Sequence, residues 1–104
     1  MDIKVSSPGH QLKSSQVDEI ERDLAKVARR LNKHTDVRTD VRISETQGVP
    51  GFHVVLELGY GRNHLQAKAE APDVGRAVRE AREELLRQIN DRSRGGHSWF
   101  AKRR

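Results

Sequence analysis

The spacing of the apolar residues changes sharply at Pro72, and that change limits what the chain can fold into. From Asn63 to Ala71, NHLQAKAEA alternates apolar and polar residues. From Asp73 to Arg94, DVGRAVREAREELLRQINDRSR repeats its apolar residues every three or four positions. A period of two is a strand with one buried face; a period near 3.6 is an amphipathic helix. Leu65, Ala67, Ala69 and Ala71 share one strand face, and its three alanines let something large pack close. Val74, Ala77, Val78, Ala81, Leu85 and Ile89 project onto one side of the helix, with Arg76, Arg79, Arg87 and Arg94 opposite. Asp73 is placed to cap this helix, and Gly75 is a poor former in its first turn. The helix is expected to seal a sheet and hold arginines toward water.

The same patterns run upstream. Ile3 and Val5 alternate with Asp2, Lys4 and Ser6, a short strand stopped by Pro8-Gly9. Ser15-Gln16-Val17-Asp18 fits a capping box, followed by a helix to about His34. Val17, Ile20, Leu24, Val27 and Leu31 form its apolar stripe. Acid comes early in it (Asp18, Glu19, Glu21, Asp23) and base late (Lys26, Arg29, Arg30, Lys33), as the helix dipole favours. Val37–Ser44 and Phe52–Tyr60 alternate as half-buried strands, separated by the turn residues 47–51. Gly59, Gly61 and Asn63 mark a tight connection to the next strand. The expected architecture is α+β: a two-layer β-α-β-β-β-α domain over residues 1–94, a four-stranded sheet with both helices on one face. The other sheet face, from Lys4 across Arg38, Asp40, Arg42, His53 and Glu57 to Lys68 and Glu70, reads as mixed in sign and solvated. Gly95-Gly96 ends the second helix and, with HSWFAKRR after it, is expected to form a flexible aromatic-basic tail over residues 95–104.

Charge narrows the range of partners. The chain of 104 residues carries a net charge of +5. Residues 1–72 hold 11 Lys/Arg against 10 Asp/Glu; residues 73–104 hold 9 against 5. Such a skew suits a polyanion, although basic charge also serves solubility alone. At 100° per residue, Arg22, Lys26, Arg29 and Lys33 fall within roughly 60° on the first helix. Arg76, Arg79, Arg87 and Arg94 fall within about 80° on the second. Side by side on one sheet, the two arcs would merge into a positive surface whose guanidinium forks suit phosphate. The plainer reading is a solvated charged face, which most surface helices have.

Other chemistry finds little support. The chain has no cysteine, which excludes disulfides and thiolate metal sites. No apolar run reaches the roughly 20 residues a membrane span needs, so a cytoplasmic soluble protein is the default. HEXXH is missing. His53 and His64 lie on neighbouring strands, where they could face each other as a general base or metal pair; solvated polar residues are the commoner outcome. Glu80, Glu83 and Glu84 stand among Arg76, Arg79, Arg82 and Arg87 at spacings that suit surface ion pairs rather than acid–base work. Gly59-Tyr60-Gly61 leads into no phosphate-binding loop, and Gly95-Gly96-His97 lacks the glutamine of the peptide-release motif.

Several short stretches carry a resemblance. They are Leu24-Ala25-Lys26-Val27, Ala67-Lys68-Ala69-Glu70-Ala71, Asp73, Ala77-Val78 and Leu86-Arg87-Gln88-Ile89. In this order and separation, over residues 1 to about 94, the chain resembles the family of ribosome hibernation-promoting factor and protein Y, also called sigma-54 modulation proteins. Gly75 departs from its usual bulky residue and Arg79 from a common acid. The resemblance implies a fold like that of double-stranded RNA-binding domains. It also implies docking on the ribosomal RNA of the decoding channel of the small ribosomal subunit, with inhibition of translation and no cofactor, metal or catalysis. Lys26 and Arg87 match positions basic in the family, which implies contact with the RNA backbone. Arg22, Arg29, Lys33, Arg76 and Arg79 join them from the helical projection. The second, dimerising domain of long members is not expected in a chain of this length, so ribosome pairing would need another factor. A monomer is the default expectation. The alternatives are a general RNA-binding stress protein of the same fold, and a small enzyme using His53 and His64.

Overall fold

The strands and helices of the computed structural model follow the expected order: β1 (Asp2–Ser6), α1 (Ser14–Arg30), β2 (Val37–Glu45), β3 (Phe52–Tyr60), β4 (Asn63–Ala71) and α2 (Val74–Ser93). The structure describes residues 1–9, 11–46 and 48–93. Arg94 and the expected tail 95–104 lie outside the described residues.

One sheet runs in the order β1-β2-β3-β4. The β2–β3–β4 meander is antiparallel, and β1 adds to its edge parallel to β2, a pairing that α1 makes possible as the crossover. Two residues, Gly61 and Arg62, join β3 to β4, and Tyr60 pairs with Asn63 across them. Gly61 has φ +57, a conformation that suits glycine at the first position of such a turn. This turn sets the register of the whole hairpin. At the other end of β3, Gly51 has φ +144, and a Cβ there would stand 3.1 Å from the Ala71 carbonyl oxygen.

Alternation along the strands sends Val41, Ile43, Val54, Leu56, Leu58 and Leu65 inward, with Arg38, Asp40, Arg42, Gln66 and Lys68 outward. Ile20, Leu24 and Val27 of α1 and Ala77, Val78, Ala81 and Leu85 of α2 enter the same core, each at most 1% exposed. The helices therefore share one face of the sheet, as the pattern predicts. They do not sit at equal depth: α2 approaches β3 and β4 more closely than α1 approaches the sheet. Small residues on both partners allow this, Ala67 and Ala71 below and Ala77 and Ala81 above. Close backbone approach, rather than a large side chain, fills the space over the alanine strand.

Two details of α1 differ from the sequence reading. Its N-cap is Lys13 rather than Ser15, and the Gln16 side-chain oxygen accepts the Lys13 N–H at 2.9 Å. Leu12, half-buried against the core, occupies the position before the cap where an apolar residue fixes the entry angle. The helix also stops at Arg30 instead of about His34. Leu31 leaves helical geometry, at φ −112 and ψ 29, while its side chain stays in the core. Residues 31–33 then form a turn. α2 starts as expected: the Arg76 N–H donates to Asp73 Oδ1 at 2.8 Å. Gly75 is accommodated without strain, since a Cβ there would meet only ordinary contacts at 3.5 and 3.7 Å.

Candidate nucleic-acid interface

Three inter-helix contacts fix how the cations are arranged. A Cβ on Gly75 would lie 3.7 Å from Glu19, Arg82 reaches Asp23 at 3.0 Å, and Arg30 reaches Asn90 at 2.9 Å. The partners advance together along both helices, from 19 with 75 through 23 with 82 to 30 with 90, so α1 and α2 lie side by side and run in the same direction. The outer arc of α1 bears Arg22, Lys26 and Arg29, all exposed and opposite its buried stripe. Lys33 is exposed too, but it sits in the turn after α1, so a helical projection does not place it. Among the described residues, no carboxylate lies within ion-pair distance of these four cations.

α2 is different. Arg76 pairs with Glu80 at 3.1 Å. Arg87 pairs with Glu84 through Nε at 3.1 Å and with Asp91 at 3.3 Å. Asp73, Glu80, Glu84 and Asp91 fall within roughly 40° along one flank of the helix, a stripe that engages these arginines. The Arg87 guanidinium and, after it, the Gln88 amide hold the Glu84 carboxyl below its ordinary range. Glu84 in turn raises the Arg87 pKa. Arg79, on the flank facing α1, is exposed and has no carboxylate partner among the described residues. The two arcs are adjacent as expected, but the α1 arc carries the unpaired charge.

Arg82 departs from its expected place in a surface ion-pair ladder. It is 3% exposed, between the helices, with Nη1 on Asp23 of α1 and Nη2 on Glu83 at 2.6 Å. Its buried Nε finds no hydrogen-bond partner among the described residues. Arg82 works as a strut rather than as a landing point for phosphate. Arg30 was also outside the predicted arc. Its bond to Asn90 turns it along the seam, toward the same end of the molecule as Arg29 and Lys33. Since every acid of α1 lies at or before Asp23 and every base except Arg22 at or after Lys26, most of the α1 charge separates by end. The end with the β3–β4 turn is the cationic one.

The open sheet face offers no comparable site. Its shallow hollow of about 490 Å³ mixes Lys4 and Arg38 with Asp2, Asp40 and Glu57. His53 and His64 share this face but do not face each other. The register pairs His53 with Glu70 and His64 with Gly59, six positions apart on β3, or about 20 Å along a strand. Each histidine instead stands near a carboxylate, Glu70 at 3.5 Å and Glu57 at 3.3 Å. Among the described residues, no three metal-binding side chains converge. Nor is any helix there long and apolar enough to cross a membrane.

Comparison with known proteins agrees with this architecture. A family model described as sigma 54 modulation protein / S30EA ribosomal protein matches residues 3–94. The N-terminal domain of Thermus thermophilus Protein Y superimposes with a TM-score of 0.72 at 17% identity, covering 86% of this chain and 96% of that one. A ribosomal subunit interface protein from Coxiella burnetii superimposes with a TM-score of 0.78 at 14% identity, covering 89% of this chain and 98% of that one. At these identities the structural likeness speaks for the fold alone. No curated protein sequence matches.

Proposed function

The chain belongs to the sigma 54 modulation protein / S30EA ribosomal protein family, and from that premise we propose that it is a ribosome-associated inhibitor of translation. It binds small-subunit ribosomal RNA in the decoding channel and blocks the space that messenger and transfer RNA need. It acts in the cytoplasm by occupancy, one copy per subunit, with no cofactor and no catalysed step. The observation that carries this reading is the exposed row Arg22, Lys26 and Arg29 on α1, next to Arg79 of α2 and without carboxylate partners among the described residues. Unpaired cations on two helices packed side by side suit a phosphate backbone, whose contacts need charge and position more than base identity. Lys33 extends the row past the end of α1. Arg76 and Arg87 take part by exchanging Glu80 and Glu84 for phosphate.

The test is charge reversal. The double variant Lys26→Glu, Arg29→Glu keeps its fold, because both side chains point to solvent, and loses inhibition of in vitro translation. Co-sedimentation with small subunits between 50 and 200 mM salt should show a salt slope shallower by about 1.8 for two lost phosphate contacts. Full inhibition by the variant would refute the reading. Wild-type binding that duplex RNA competes away as well as small subunits do would reduce it to general RNA binding.

A further inference from the structure

We propose that the cleft at the end of α1 is a subsite for one unpaired nucleotide, with the base stacked on His34 and its phosphate held by Lys33 and Arg30. The proposal rests on RNA as the partner and adds a base-stacking contact to a backbone-binding surface. The cleft measures about 260 Å³ and is lined by Arg30, Asn32, Lys33, His34 and Tyr60, among others. Pockets for drug-sized ligands run from about 300 Å³ upward, so this one suits a single flat ring.

Each part of the arrangement has a physical role. His34 is exposed, yet its ring is braced: it meets Tyr60 edge to face, with centroids 5.0 Å apart and planes at 70°. The His34 backbone N–H also donates to the Leu31 carbonyl at 3.0 Å, which closes the turn after α1. An exposed aromatic ring with fixed backbone and fixed edge is a stacking platform. Tyr60 is 5% exposed and lines the cleft beside the ring. Arg30 spends Nε on Asn90 and keeps its terminal nitrogens available. The carbonyl end of α1 disfavours an anion, and Arg30 and Lys33 offset it. Asn32 adds an amide beside the ring. Cations flanking a braced aromatic platform suit single-stranded RNA, whose unstacked bases are open to stacking, and give a stacked duplex nothing to insert.

The experiment uses a fluorescein-labelled single-stranded RNA 12-mer and purified small subunits as probes, with binding followed against salt. His34→Ala should weaken binding about tenfold with an unchanged salt slope, since stacking releases no counterions. His34→Phe should restore it. Lys33→Ala should weaken binding and lower the slope by about one. Thermal melting checks that each variant is folded. Wild-type affinity in His34→Ala on both probes, or no recovery in His34→Phe, overturns the subsite and leaves ribosome binding standing. A wild-type protein that binds neither probe overturns both readings.

Discussion

At the scale of single residues, the helix ends show most directly how one side chain decides local structure. Asp73 accepts the N–H of Arg76, one of the four donors that the first turn of α2 leaves unused. Asp73→Ala removes that acceptor and should cost about 1 kcal/mol, lowering Tm by about 4–8 °C; Asp73→Asn should keep most of the stability. Equal melting of the three proteins would show that the cap contributes nothing. This cap was legible in the sequence, because Pro72 precedes it and the apolar period starts directly after. The α1 cap was not. Lys13, Ser14 and Ser15 stand in a row before the first apolar position, and serine is the better cap by type. The choice fell to Lys13 because Leu12 packs on the core and Gln16 reaches back to the Lys13 N–H, contacts that depend on the rest of the fold.

At the scale of elements, strands were easier to read than partnerships. Strict alternation in β2, β3 and β4 fixes which side chains are buried, and the two-residue turn at Gly61 fixes how β3 meets β4. No such turn exists for β1, whose parallel pairing with β2 is set by the path of α1. Arg82 shows the limit most clearly. In the run Arg79-Glu80-Ala81-Arg82-Glu83-Glu84 it has the spacing of a surface ion-pair partner, and only the placement of α1 reveals that it is buried. A buried arginine is safe only while its partner remains. Asp23→Ala should therefore destabilise the domain by about 2–3 kcal/mol, toward the lower side for such pairs because Asp23 is partly exposed. Adding Arg82→Met should recover most of that loss, since methionine fills the space without a charge to satisfy. Urea denaturation of the two single variants and the double variant tests it. Losses that simply add would mean the pair is not coupled.

At the scale of the whole molecule, what matters is how the cationic surface is shared between two helices of similar composition. α1 keeps its acids near its start and, apart from Arg22, its bases near its end, and Lys26 and Arg29 have no carboxylate within ion-pair distance among the described residues. α2 interleaves acid and base, and Glu80, Glu84 and Asp91 hold Arg76 and Arg87 in place. The Glu84 pKa is lowered, so this restraint is fully present above the ordinary carboxylate range and is lost only as pH falls through the lowered value. Near neutral pH, Arg87 would therefore meet the proposed phosphate only by leaving Glu84 and Asp91. Glu84→Gln removes the nearer of the two competitors and keeps a neutral side chain of the same size. It should tighten binding to small subunits severalfold and steepen the salt slope by up to about 0.9, as Arg87 then gives up only Asp91 to meet a phosphate. Stability should change little, because exposed helical ion pairs contribute only a few tenths of a kcal/mol each, on the order of 0.3–0.5. Its acid limb should become shallower, with the largest difference in and just below the ordinary carboxylate range. Co-sedimentation across a salt series reads the first two effects, and urea melts across pH read the third. If affinity and slope stay at wild-type values while the acid limb changes as expected, Arg87 was freed and found no phosphate, and the interface lies on α1 and Arg79 alone.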